Sequence, residues 1–299
     1  MADLKKMVPG CVEGEFFVDT TCINCDTCRQ LAPHTFVDQG EFSQVYHQPG
    51  NSKDVREATQ ALLCCPTGSI GTRGGNEAKV VMNDLPLLID EDVYYCGFNS
   101  PDSYGGNSFF VKHKDGNWMI DSPKFLPHLV AQFHAMGGIK YIFLTHQDDV
   151  AQAHQYAAEF GAQRFIHRME LNSQPDAEIV LDGQAPHQVS PEFTIVPVPG
   201  HTKGHMVLFY REKFLFSGDH LAYDKGAQHL MAFRRHCWYS WEEQTVSMET
   251  LCQYQFEWVL AGHGDRTRLP AEEMHSQLCE LVEWMKLPSR DWHAKFADS

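Results

Sequence analysis

The sequence predicts an α+β chain in two parts, a small cysteine-rich unit over residues 1–75 and a larger layered αββα sandwich over residues 76–299. Three observations predict it. Six of the ten cysteines fall before residue 66, so one kind of chemistry is concentrated at the start. The run Gly71-Thr72-Arg73-Gly74-Gly75-Asn76 reads as a short flexible linker. Beyond it, strand-like segments followed by helix-like segments come in two successive waves, the pattern of two sheets each covered by helices. With 299 residues and 43% hydrophobic content the chain can bury a sizeable core, and its length suits about two domains.

The first part opens on Cys22-Ile23-Asn24-Cys25-Asp26-Thr27-Cys28. A hairpin signal follows at Phe36-Val37-Asp38-Gln39-Gly40-Glu41-Phe42, then a helix from about Ser52 to Leu63, then Cys65-Pro66. Cysteines at a stride of three, answered by Cys-Pro, wrap an iron–sulfur cluster. In the run C-x2-C-x2-C-x3-C-P the fourth cysteine serves the other cluster of a two-cluster protein. That place is Ala32 here, followed by Pro33, and there is no second triplet. Cys22, Cys25, Cys28 and Cys65 therefore predict one [4Fe-4S] cluster, with Cys65 preferred to its neighbour Cys64 because Pro66 follows it directly. A structural zinc or a pair of disulfides is the alternative, but zinc sites usually read as two separated C-x2-C pairs. From Cys11 to Arg73 the chain resembles a one-cluster bacterial ferredoxin, and Thr67-Gly68-Ser69-Ile70 after the Cys-Pro extends the match. The resemblance implies electron transfer.

The second part begins with predicted strands at Lys79–Met82, Val93–Cys96, Asn107–Lys112 and Trp118–Asp121, the last two joined by a turn at Lys114-Asp115-Gly116-Asn117. A helix from Pro127 to Met136 stops at Gly137-Gly138, a buried strand covers Tyr141–Thr145, and a helix runs from Val150 to Phe160. Later strands are Phe193–Val198, Met206–Tyr210 and Phe214–Phe216, followed by helices near Trp241–Tyr254 and Ala271–Lys286.

Four polar clusters each follow an apolar strand: Thr145-His146-Gln147-Asp148-Asp149, Pro199-Gly200-His201-Thr202-Lys203-Gly204-His205, Ser217-Gly218-Asp219-His220 and Ala261-Gly262-His263-Gly264. Imidazoles and carboxylates on separate strand ends can close around one ion. These motifs, in this order over roughly Val80 to Leu287, resemble the metallo-β-lactamase superfamily. The resemblance implies that His201, Asp219 and His263 are metal ligands and that Asp121 is a structural aspartate. It also marks a departure. The family's H-x-H-x-D-H would put a histidine at position 148, an aspartate at 150 and a histidine at 151, where this chain has Asp148, Val150 and Ala151. His146 survives and Asp148 can offer a carboxylate, so the expected metal set is His146, Asp148, His201, Asp219 and His263. One metal is the preferred count and two the alternative. Asp149 and His154 could supply a second metal, but Asp149 is read first as the cap of the helix from Val150 and His154 as a weaker candidate ligand, with His205 as a supporting residue and His220 as a lining of the cleft. The segment Arg234–Trp241 is read as a helix entry with Trp238 and Trp241 packed inside, with a substrate-facing loop, which the resemblance implies, as the alternative.

Two histidines and one or two carboxylates suit iron, with zinc or manganese as alternatives. The first functional expectation is a redox enzyme: the ferredoxin part supplies electrons to a mononuclear non-haem iron that acts on a small molecule, with Asp219 and Asp148 as catalytic residues. The second is a metal-dependent hydrolase, which the missing aspartate at position 150 weakens. The third is a noncatalytic electron carrier or sensor. The formal charge of −15 argues against nucleic-acid and anionic-membrane partners, leaving a small-molecule substrate and an electron-transfer protein. No apolar run approaches the roughly 20 residues that span a bilayer. Residues Met1–Lys6 carry no apolar stretch and the cluster needs thiolates, so a cytoplasmic setting is expected.

Overall fold

Around the cysteine loop the N-terminal segment is built of short strands and two helices, the second of 13 residues. The computed structural model describes residues 2–75 and 77–288. In order come β1 (Phe16–Val18), α1 (Thr27–Leu31), the hairpin β2 (Phe36–Asp38) and β3 (Ser43–Val45), α2 (Ser52–Cys64) and β4 (Ile70–Thr72). Asp38 Oδ1 accepts from Gly40 N–H and closes the hairpin. Asn51 caps α2, its side chain accepting from Lys53 and Asp54 N–H, a contribution of about 1 kcal/mol. β1 and β4 pair antiparallel, which brings the Cys65–Ser69 turn back beside the triplet loop.

Next follow α3 (Ala78–Val81), β5 (Leu87–Asp90), β6 (Val93–Tyr95), β7 (Phe109–Val111), β8 (Trp118–Ile120), α4 (Pro127–Ala135), β9 (Tyr141–Phe143) and α5 (Ala153–Phe160). β5 to β8 pair antiparallel with their neighbours. The expected strand at Lys79–Met82 is instead a single helical turn running into a tight turn at Met82–Asp84. Four residues are too few to separate the two periodicities, and only Val81 is buried. Proline at the first turn starts α4, as its fixed φ allows. Phe110, Phe133 and Tyr156 pack in the interior, Phe133 tilted against Phe110 and edge-on to Tyr156 with ring centroids 5.0 and 5.8 Å apart.

Then come β10 (Gln163–His167), β11 (Ile179–Leu181), β12 (His187–Ser190), β13 (Phe193–Pro197), β14 (Met206–Tyr210), β15 (Phe214–Gly218), β16 (Ala222–Asp224), β17 (His229–Met231), α6 (Trp241–Leu251), β18 (Trp258–Ala261), β19 (Thr267–Arg268) and α7 (Ala271–Met285). A six-stranded sheet runs in the order β12-β13-β14-β15-β18-β19. β14 and β15 are buried at every position, as continuous apolar strands covered on both faces must be. Val207, Leu215 and Val259 meet Met248, Leu251, Leu278 and Leu281 in one core.

The chain divides into two compact units, one of residues up to 142 with 151–162, the other of residues 143–150 with those from 163 onward. Among the described residues no helix is long and apolar enough to cross a membrane.

Candidate metal centres

The cysteine centre lies within the first unit. Cys22, Cys25, Cys28 and Cys65 line one small cavity together with Thr27, Pro66 and Ser69. Cys64, fully buried, turns its sulfur toward Gly97 and Leu85 instead. The preference for Cys65 thus has a structural counterpart: the last turn of α2 aims consecutive side chains in different directions. Asn24 N–H donates to Cys22 Sγ at 3.4 Å and Ser69 N–H to Cys65 Sγ at 3.3 Å, the kind of amide–sulfur contact that tunes a cluster's potential. Burial pushes the Cys25 thiol up to about 12 and raises Cys28 further. Such thiols ionise only against a strong local cation, and iron supplies that charge. The donor set therefore fits a cluster.

Two neighbours of this cavity carry no sequence signal. Lys124 Nζ donates to the Pro66 carbonyl at 2.7 Å and the Cys65 carbonyl at 3.3 Å. Burial lowers its pKa, and the nearby cysteine sulfurs oppose that shift. Gly105, at φ +89°, lies so close that a Cβ would sit 2.8 Å from Cys25 Cβ and 2.9 Å from its sulfur.

The second centre lies within the second unit, and sheet topology assembles it. β13 and β14 are antiparallel, β14 and β15 are antiparallel, and β15 and β18 are parallel. The C-terminal ends of β13, β15 and β18 therefore meet at one edge, delivering His201, Asp219 and His263 together. His146 and Asp148 come from the loop after β9, which Met206 N–H ties to this sheet through the Thr145 carbonyl.

His146 Nε2 stands 3.8 Å from Asp148 Oδ2 and 3.7 Å from Asp219 Oδ2, and His201 Nε2 stands 3.8 and 3.6 Å from the same two oxygens. Ligand atoms about 2.1 Å from a tetrahedral ion are separated by about 3.4 Å, so this spacing suits a shared metal. His146 and His201 are buried, and among the described residues neither Nε2 has a hydrogen-bond partner. Thr145 Oγ1 lies 3.0 Å from His146 Nδ1. A proton on Nδ1 then donates to the hydroxyl and leaves the Nε2 lone pair facing the carboxylates. Burial takes His146 down to about 4, keeping it neutral as a ligand must be.

Asp219 is held from three sides: its N–H donates to His205 Nε2 at 3.2 Å, and its Oδ1 accepts from His263 Nδ1 at 2.8 Å and from His263 N–H at 3.1 Å. Burial works to raise its pKa, but His263, His146 and His201 outweigh that and hold the carboxyl well below its usual range. Asp148 is lowered too, by the adjoining His201 ring. Its side chain is 44% exposed, which makes it the open side of the site.

The remaining expectations meet the structure unevenly. Asp149 does not cap a helix. α5 begins only at Ala153, and Asp149 ends a tight turn with its side chain buried. His154 is exposed on α5 and, among the described residues, does not gather with the candidate metal donors. His205 stacks on His146 at 4.8 Å, behind the ligand atoms, and His220 is fully buried. Burial takes His220 down to about 3. Trp238 is not packed inside: it is 62% exposed, and the backbone N–H groups of Trp238 and Tyr239 both donate to the His201 carbonyl. Trp241 does pack on the core, its indole donating to the Met285 carbonyl. Asp121 is buried with φ +53°.

Sequence reasoning missed Glu170. This buried carboxylate accepts from Gln147 N–H at 3.1 Å and from Gly204 N–H at 2.5 Å, joining the loop of His146 and Asp148 to the loop of His201 and His205. No motif surrounds it.

Comparison with known proteins bears on both centres. Residues 18–72 match the 4Fe-4S single cluster domain of Ferredoxin I. The metallo-β-lactamase FIM-1 from Pseudomonas aeruginosa, in its mono-zinc form, superposes with a TM-score of 0.52 at 17% identity, over 67% of this chain and 95% of that one. The chain joins a ferredoxin domain to a metallo-β-lactamase fold. A metallo-β-lactamase from Hirschia baltica gives 0.50 at 14% identity, over 66% and 96%, and DIM-1 metallo-β-lactamase gives 0.50 at 16%, over 66% and 95%. The α+β class and both parts of the expected resemblance stand. At such identities the likeness carries the fold alone.

Proposed function

We propose that this protein is a redox metalloenzyme in which a ferredoxin domain over residues 1–75 supplies single electrons to a non-haem iron site in a metallo-β-lactamase-fold domain over residues 76–299. One observation supports this above the others. The chain pairs a single-cluster ferredoxin domain with an N/O donor set, His146, Asp148, His201 and Asp219, whose composition suits iron. Iron bound there would supply one-electron chemistry toward an oxidised small molecule. Each electron the small molecule takes is one given up by the cluster, which a separate electron-transfer protein restores.

The residues of the chain divide the work. Thr145 orients His146, and His263 and His205 orient Asp219, so two ligands are fixed before anything binds. Asp148, the exposed member, adjoins the side from which a small molecule enters. Glu170 keeps the two ligand loops in register.

Metal-dependent hydrolysis is the second reading, and the fold is what favours it. In this chain position 150 is valine, which cannot orient an attacking water. Cys25→Ser separates the two. The redox reading expects the protein-dependent reoxidation of a reduced viologen dye by nitric oxide, measured under strict exclusion of dioxygen, to fall at least tenfold. Full hydrolysis of thioesters or phosphodiesters by Cys25→Ser protein, with no electron uptake by the parent, would overturn it.

A further inference from the structure

We propose that Cys252 and Cys279 are a reactive thiol pair that forms a reversible disulfide by exchange with low-molecular-weight disulfides, with Cys279 as the attacking sulfur, His275 as its proton acceptor and Cys252 as the resolving thiol. The pair belongs to the second unit, whereas the cysteines of the cluster belong to the first, and it needs no metal.

The helix patterns bring these three residues together. Along α7 the buried side chains are Met274, Leu278, Leu281, Val282 and Met285, and they share one core with Met248 of α6 and Leu251 at its end. Each helix places its reactive residue one position beyond that stripe: Cys252 follows Leu251, and His275 and Cys279 follow Met274 and Leu278. Residues four apart on a helix are neighbours on its surface, so His275 and Cys279 flank the seam where α6 meets α7. Both cysteines are free and partly exposed, and His275 is exposed, so a small solute reaches them.

Hydrogen bonding gives the two sulfurs different parts. His275 Nε2 stands 3.2 Å from the Cys252 carbonyl, which can only accept; Nε2 therefore carries the proton, and Nδ1 presents a lone pair. Cys279 Sγ lies 3.8 Å from Nδ1, in reach for the thiol proton to pass to it. Cys252 is placed otherwise. Its S–H faces the Met248 carbonyl at 3.7 Å and the Cys279 sulfur, and burial, reinforced by that sulfur and by Glu249, pushes the thiol up to about 12. Cys252 keeps its proton, and the sulfur beside the imidazole makes the first attack.

In the first step Cys279 gives its proton to His275 Nδ1 and its sulfur attacks one sulfur of the small disulfide. That S–S bond breaks, and the departing thiolate takes the proton back from the imidazole. In the second step Cys252 attacks the Cys279 sulfur of the mixed disulfide, and the second small thiol leaves with the Cys252 proton. Two protein thiols are oxidised by two electrons and one small disulfide is reduced to two thiols, so an excess of reduced thiol drives the exchange backward.

Anaerobic incubation of the cluster-containing full chain with oxidised and reduced glutathione, followed by alkylation of free thiols and peptide mass spectrometry, tests this. The parent is expected to give a cross-linked Cys252–Cys279 peptide that excess reduced glutathione removes. Cys252→Ser, which lacks the resolving thiol, is expected to hold glutathione on Cys279, and Cys279→Ser to take it up on Cys252 roughly tenfold more slowly. His275→Gln added to Cys252→Ser is expected to slow the adduct on Cys279 roughly tenfold. Visible absorption of the cluster and thermal melting check that each variant is folded, and the cross-link in the parent needs no variant. Absence of the Cys252–Cys279 peptide from the parent, with the cluster absorbance intact, would overturn the pair. Adduct on Cys252 ahead of Cys279, or equal adduct rates within twofold with and without His275, would overturn the parts assigned to the sulfurs and the imidazole.

Discussion

At Cys25 burial and chemistry pull in opposite directions. Its thiol is pushed up to about 12 by desolvation, so the unmetallated cysteine is neutral, whereas cluster assembly needs a thiolate. Cys25→Ser removes one of four converging sulfurs, and we expect loss of the cluster's visible absorbance and of about four irons per chain. Metal held by His146, Asp148 and His201 should persist in that variant, because its donors come from other loops; elemental analysis reads both quantities. Lys124 acts on the same cavity through its charge. An ammonium favours the more negative, reduced cluster, so Lys124→Met should lower the reduction potential, by on the order of 100 mV, equivalent to about 2 kcal/mol, for a charge beside the cluster at an effective dielectric near 20. Spectroelectrochemical titration measures this, and an unchanged potential would remove Lys124 from the account. Glu170 couples two ligand loops through backbone N–H groups. Glu170→Gln keeps the shape but loses the charge-assisted bonds, and metal affinity at the second centre should fall roughly tenfold. A chelator-competition assay with unchanged affinity would contradict that coupling.

At the scale of elements, the centre depends on strand ends meeting at one sheet edge, and much of this could be read in advance. The four clusters after apolar strands, the cysteine stride and the Cys-Pro answer are local patterns, and the loops they mark carry the residues expected of them. The inward direction of Asp149 was not legible, since a short polar residue ahead of a helix pattern reads first as a cap, and only the tight turn at Gln147–Asp149 buries it. Glu170 and Lys124 were not legible either, because their partners are backbone groups distant in sequence. Trp238 misled through composition: an aromatic usually packs, but here the backbone around it is spent on the His201 carbonyl. The price of gathering imidazoles at one edge is a pH dependence. Burial takes His146 to about 4 and His220 to about 3, below the value near 6.5 they have when unfolded. Below about pH 6.5 the unfolded chain binds protons that the folded chain refuses. Stability of the metal-free protein is therefore fully present above that pH and declines as pH falls toward 4, by on the order of 1 kcal/mol per pH unit for each histidine. Urea midpoints at pH 7 and pH 5 measure it; equal midpoints would show these rings to be solvated.

For the whole molecule, the proposed function has electrons that arrive at the ferredoxin domain used within the metallo-β-lactamase fold of the same chain. On the proposed function, iron occupies two chemically different settings, sulfur donors in the first unit and imidazole and carboxylate donors in the second. Mössbauer spectroscopy on protein purified anaerobically from cells grown on enriched iron, with elemental analysis of the same sample, distinguishes them directly. The predicted result is one [4Fe-4S] signal from about four irons together with a separate high-spin non-haem iron signal of at least one further iron, lost in His146→Ala protein while the cluster signal remains. A cluster signal alone, with zinc as the only metal outside it, would contradict the account.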